Sequence, residues 1–147
     1  MKKNLILTFI FMFGIIYYAN AQSTSTTINL VNNSGCDVFL TLESDNGASC
    51  IGGSAATSRI KVSAHSTLSY TVSTAPWTSG TPFDFNYLSA NLGSGTNAKV
   101  ADPASCNGFS TSVSPWTPCT STGSITWTDA PTSPPAPTPT TATVTFN

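Results

Sequence analysis

Val38-Phe39-Leu40-Thr41-Leu42-Glu43 alternates without a break. Val38, Leu40 and Leu42 fall on one side of an extended chain and Phe39, Thr41 and Glu43 on the other, the two-residue period of a half-buried strand. Asp45-Asn46-Gly47 follows, turn residues that end such a strand. The same period returns downstream, where Leu68, Tyr70 and Val72 alternate with Thr67, Ser69 and Thr71. Further strands are expected at 26–31, 59–63, 83–92, 108–113, 124–128 and 141–146. Within 83–92 the phase changes: Phe83, Phe85 and Tyr87 share one face and Leu88, Ala90 and Leu92 the other, which predicts a bulge or a strand buried on both sides. No stretch after residue 21 carries the 3.6-residue period of an amphipathic helix. About eight short strands divided by Gly, Pro, Asn and Ser predict an all-β domain, an antiparallel two-sheet β-sandwich of Ig-like or similar type. A small closed β-barrel is the alternative.

The strand at 124–128 should stop at Asp129, a poor strand residue that opens a Pro/Thr-rich loop at 129–140. Beyond it Ala142, Val144 and Phe146 alternate again, so the last strand is expected to return as the second arm of a hairpin with a stiff, long connection. The beginning of the chain is different in kind. Lys2 and Lys3, an apolar run from Leu5 to Tyr18 and Ala19-Asn20-Ala21 predict a secretory signal peptide at 1–21, with a single domain at 22–147. The apolar run is shorter than the roughly 20 residues that span a bilayer, and no transmembrane segment is expected in the mature chain. The protein is therefore expected to be secreted, extracellular or periplasmic.

Without Lys2 and Lys3, the three cations Arg59, Lys61 and Lys99 face six acids, a net charge of −3. Three scattered cations form no basic patch, and nucleic acid is not an expected partner. Four cysteines, Cys36, Cys50, Cys106 and Cys119, form an even set in an exported chain, and two disulfides are expected among three possible connectivities. Short separation favours Cys36 with Cys50 and Cys106 with Cys119, each closure contributing about 3 kcal/mol through the unfolded chain. There is no Cys-x-x-Cys pair and only one His, so a zinc site is not expected.

Asn32-Asn33-Ser34-Gly35-Cys36-Asp37-Val38-Phe39, placed after an apolar first strand, resembles the opening of small secreted proteins of Bacteroidetes type that have no assigned activity. It is also similar to the start of thaumatin-like proteins, whose length and many cysteines this chain lacks. The resemblance implies a secreted β-sandwich and transfers no site.

Catalysis finds few parts. The only His is His65, at the start of an expected strand, and no Gly-x-Ser-x-Gly turn occurs. A carboxylate pair would have to join Glu43 with Asp37, Asp45, Asp84, Asp102 or Asp129, most of which adjoin turn residues. Calcium held by Asp37, Asp45 and loop carbonyls would need a denser acidic loop than is present. No enzyme, metal or cofactor is expected. Two Pro-Trp-Thr triplets, Pro76-Trp77-Thr78 and Pro115-Trp116-Thr117, stand in segments read as connections. Trp77 and Trp116 could stack on a glycan or anchor a cell-surface protein, or fold down to cap the core. Trp127, in phase with Ile125, reads as core. Thr126 with Thr128, and Thr141, Thr143 and Thr145, lie two apart, each set facing one side at roughly 6.8 Å spacing. Such hydroxyls suit the solvent side of a strand and could also match an ordered polar surface such as ice or a crystalline polysaccharide. The expected function is a non-catalytic extracellular binding or adhesion module. A structural cell-surface role is the alternative, and a carboxylate-based hydrolase a distant one.

Overall fold

The structure, a computed structural model, describes residues 25–44, 55–82, 84–85, 87–91, 97–102, 110–117, 122–129 and 140–147. The expected signal peptide at 1–21, the turn at Asp45-Asn46-Gly47, Cys50, Cys106, Cys119 and residues 130–139 of the Pro/Thr-rich loop lie outside the described residues.

Alternation becomes burial along the whole of β2 (Val38–Ser44): Val38, Leu40 and Leu42 are at most 1% exposed, while Phe39, Thr41 and Glu43 reach solvent. Around it lie β1 (Ser25–Asn32), β3 (Ala55–Thr57), β4 (Ile60–Val62), β5 (Ser66–Thr71), β6 (Trp77–Ser79), β7 (Tyr87–Asn91), β8 (Asn97–Ala101), β9 (Ser112–Trp116), β10 (Gly123–Asp129) and β11 (Thr140–Phe146). No helix occurs among the described residues. The strands form two sheets, a five-stranded one in the order β5-β1-β11-β10-β9 and a six-stranded one in the order β6-β3-β2-β7-β8, with β4 also paired to β2. Ile28, Leu30, Ile125, Ala142, Val144 and Phe146 of the first sheet pack against Val38, Leu40, Leu42, Val62, Leu88 and Val100 of the second. This is a β-sandwich, and the closed barrel is excluded.

Two features correct the sequence reading. The chain has eleven described strands rather than about eight, because the three-residue β3 and β6 and the Ala-containing β8 join the six-stranded sheet. The sheets are also not wholly antiparallel, since β1 runs parallel to β11, with Leu30 opposite Val144 and Ile28 opposite Ala142. A parallel pair needs a long crossover, and here everything from β2 to β10 lies between its two strands. β10 and β11 do form the expected antiparallel arms, Trp127 opposite Val144 and Thr126 opposite Thr145.

The phase change near Phe85 also has a simple cause. Phe85 precedes β7, is fully buried, and its N–H donates to the Ser25 carbonyl at 2.8 Å, while inside the strand Leu88 and Ala90 carry the buried phase. Of the strand expected at 108–113, residues 108 and 109 lie outside the described residues; the described strand is Ser112–Trp116 and includes Pro115 after a cis Ser114-Pro115 bond. β9 ends its sheet, where a residue without an N–H is tolerated.

At one end of the sandwich Asn32, 1% exposed, ties β1 to its surroundings. Its Nδ2 donates to the carbonyls of Cys36 at 2.8 Å, Val62 at 3.1 Å and Ser63 at 3.0 Å. Its Oδ1 accepts from the N–H and hydroxyl of Ser34 at 3.0 and 2.6 Å. Within 32–39, the segment that carries the family resemblance, the buried Asn32 and Ser34 thus form a staple, while Asn33, Gly35 and Asp37 face solvent. Cys36 within it is disulfide-bonded, and its partner lies outside the described residues.

Candidate functional site

The two Pro-Trp-Thr triplets do not build one surface. Trp77 opens β6, the last strand of the six-stranded sheet, and Trp116 closes β9, the last strand of the other. β6 sits on the β5 side of the sandwich and β9 beside β8, so the two indoles occupy opposite edges. Trp77 is half-buried, stacks on Phe85 at a ring distance of 5.6 Å, and donates Nε1 to the Val72 carbonyl at 2.7 Å. Its donor is already used inside the fold. Trp116 is 3% exposed with its ring 5.7 Å from that of Phe146, and its buried Nε1 has no acceptor among the described residues. The reading of Trp116 as an exposed ligand contact is therefore corrected: it caps the core. Trp127 is core as expected, its Nε1 donating to Asp129 at 2.8 Å.

Glu43 lies on the solvent side of β2, whereas Asp84 and Asp102 are buried; Asp45 lies outside the described residues. Asp37 pairs with Lys61 at 2.6 Å and accepts the Ala64 N–H at 3.1 Å. The hydrogen bond from Lys61, followed by that from Ala64, holds its carboxyl below the ordinary value. His65 occupies the exposed turn between β4 and β5 with φ of 53°, a left-handed conformation that marks it as a turn residue. The pair that does form is one the sequence did not single out. Asp129, at the end of β10, is hydrogen-bonded to the fully buried Asp102. Burial first, and then the Asp102 hydrogen bond and charge, push Asp129 up to about 6, against the opposing donors Trp127 and Ser25. Two carboxyls in mutual contact leave no room between them for a glycosidic bond and its water.

This pair makes stability depend on pH. The folded value of about 6 lies above the ordinary 3.8, so folding favours the protonated form. The stabilisation is complete below about pH 4 and is lost as pH rises through about 6. Discounted for partial exposure, it amounts to about 1 to 2 kcal/mol. Urea midpoints should therefore fall between pH 4.5 and pH 7.5, and Asp129→Asn, neutral throughout, should flatten that fall. An Asp129→Asn protein as pH-sensitive as the parent would assign the effect elsewhere.

The most regular surface is the outer face of the five-stranded sheet. Inward residues of β1, β5, β10 and β11 alternate with Thr27, Asn29 and Val31; Thr67, Ser69 and Thr71; Thr126 and Thr128; and Thr141, Thr143 and Thr145. Strand register sets these side by side. Thr67, Val31, Thr145, Thr126 and Ser112 form one row across the sheet. Ser69, Asn29, Thr143 and Thr128 form a second, and Thr71, Thr27 and Thr141 a third. Rows repeat at roughly 6.8 Å along the strands and neighbours at roughly 4.8 Å across them. No Asp, Glu, Lys or Arg stands in these rows. The other sheet's outer side is the opposite in character, with Glu43, Lys61 and Lys99 on its strands and the Arg59 guanidinium 4.4 Å above the Phe39 ring.

The Thr ladders of β10 and β11 were visible as an i, i+2 pattern in the sequence. Their continuation over β1 and β5 was not, because the register that aligns them joins residues more than a hundred positions apart, as Thr27 with Thr141. Comparison of the chain with protein-family models, with curated proteins and with solved structures gives no match.

Proposed function

We propose that the protein is a secreted, non-catalytic binding or adhesion module whose contact surface is the outer face of the five-stranded sheet. One observation carries this reading: among the described strand residues the outward-facing charges Glu43, Lys61 and Lys99 lie on one sheet, leaving the outer face of the other with in-register rows in which Ser and Thr predominate. Solubility alone would be served by charge on both faces. The apolar and small-residue signature at 1–21 supports export, as does the disulfide-bonded state of Cys36. Within this reading Cys36 pairs with Cys50 and Cys106 with Cys119. A glycan or another cell-surface component is the class of partner such a module meets.

A structural role at the cell surface is the second reading, favoured by the burial of Trp116 and the internal hydrogen bond of Trp77. Retention of the purified protein on whole cells, extracellular matrix and insoluble polysaccharides separates the two. For a binding module, at least one of these surfaces should retain the parent chain, and Thr143→Lys should lower retention at least tenfold while Thr41→Lys on the opposite sheet should not. Retention on none of these surfaces together with exclusion from growing ice, or equal retention of both variants, would favour the structural role.

A further inference from the structure

We propose that the outer face of the five-stranded sheet binds ice. The proposal rests on the reading of that face as the contact surface and names what it contacts.

A soluble sugar is usually gripped by a ring stacked on its face and by polar groups converging in a cavity. Neither is present in these rows. They contain no aromatic side chain, and the one amide, Asn29, already accepts a hydrogen bond from Ser69 at 2.6 Å through its Oδ1. A protein partner would need a large apolar or Arg anchor, whereas Val31 is the only apolar residue in the rows. What remains is a two-dimensional repeat of hydroxyls. Those of Ser69 and Thr71 on β5 are engaged, the first with Asn29 and the second with Ser73 and Thr74. The threonines of β1, β11 and β10 carry the repeat, a hydroxyl being able to donate one hydrogen bond and accept two, as water itself can. An ordered water lattice is a neutral, repeating surface of the same chemistry.

Three physical features suit that partner. Thr is β-branched, so its χ1 is restricted and its hydroxyl and methyl are held in place before contact. Lys is absent from the rows, and a strongly hydrated ammonium would keep its own water shell where the lattice must continue. Each contact is weak, but a solid engages many at once, and simultaneous engagement multiplies affinity. Sheet twist of roughly 20° per strand confines the flattest match to the centre, β1, β11 and β10. Thr27, Thr141, Thr143, Thr145, Thr126 and Thr128 therefore carry it, with Thr143 on the middle strand and flanked by Asn29 and Thr128.

The test grows a polycrystalline ice front slowly through a solution of the fluorescently labelled protein and measures incorporation. A soluble protein without affinity for ice serves as the baseline. The parent chain should enter the ice well above that baseline and should leave a gap between melting and freezing temperatures. Thr143→Lys should lower incorporation at least tenfold, Thr143→Ser should keep most of it, and Thr41→Lys on the opposite sheet should leave it unchanged. Circular dichroism and thermal midpoints of all variants should match the parent, which removes misfolding as the cause. Incorporation at baseline, or incorporation unaffected by Thr143→Lys, overturns the proposal. Adsorption to crystalline cellulose and chitin is measured alongside. Adsorption there that Thr143→Lys abolishes, with no entry into ice, overturns ice as the partner but keeps the face as the contact surface. Baseline behaviour on ice and on both solids counts against both.

Discussion

Replacing Trp116 by Ala should lower folding stability by about 3 to 5 kcal/mol, the range for deleting a large buried aromatic. The indole closes the edge of the five-stranded sheet at 3% exposure and rests against Phe146, itself fully buried. Removing it leaves a void against the Phe146 ring. Trp116→Phe should behave differently. The indole N–H is buried with no acceptor among the described residues, and an unsatisfied buried donor costs about 1 to 3 kcal/mol. Phe loses some packing volume but also removes that donor, so the net change should stay within about 1 kcal/mol. Urea titrations of both variants decide it. A Phe variant as unstable as the Ala variant would mean that a buried water satisfies the nitrogen.

Asn32→Ala should cost a comparable amount, about 3 to 5 kcal/mol, for a different reason. Little volume is lost. Instead three carbonyls, of Cys36, Val62 and Ser63, lose their shared donor, and the N–H and hydroxyl of Ser34 lose their acceptor. With Asn32 1% exposed, the groups it leaves behind are largely shielded from water. Asn32→Asp is the sharper variant, because it keeps the shape and the acceptor while placing a carboxylate against three carbonyl oxygens. Its folded pKa should be raised, so its stability should be greatest at acid pH and should fall as pH rises toward neutrality. Denaturation midpoints at pH 4 and pH 7 read the difference. A loss under about 1 kcal/mol for Asn32→Ala would show that the staple is dispensable.

How much of this was legible follows from the kind of signal each element carries. β2 and β11 announce themselves because three apolar residues alternate over five positions, and β5 and β10 because Leu68 with Tyr70 and Ile125 with Trp127 alternate with Ser and Thr. Three-residue strands such as β3 and β6 have no period to count, and in β8 the inward Ala98 and Val100 are a weak contrast to Lys99. Alternation is the same whether a neighbour runs parallel or antiparallel, so the β1–β11 pairing could not be read from either strand alone. The identical triplets at Trp77 and Trp116 met different fates because burial is set by which sheet edge each one closes. Asp102 and Asp129 look like turn residues when read along the chain, and only the approach of β8 to β10 makes them a pair. Local pattern thus specifies strands and their inner faces, while pairings across the sandwich come from topology.

The parallel alignment of β1 and β11 also governs how the domain carries load. Ser25 and Asn147 lie at opposite ends of two adjacent strands pointing the same way, so tension between them slides one strand along the other. In that shearing geometry the ladder from Ser25 to Asn32 resists as a group, whereas a hairpin pulled from its open end peels one bond at a time. A domain tethered through one end and pulled through the other would hold by its middle rather than by its edges.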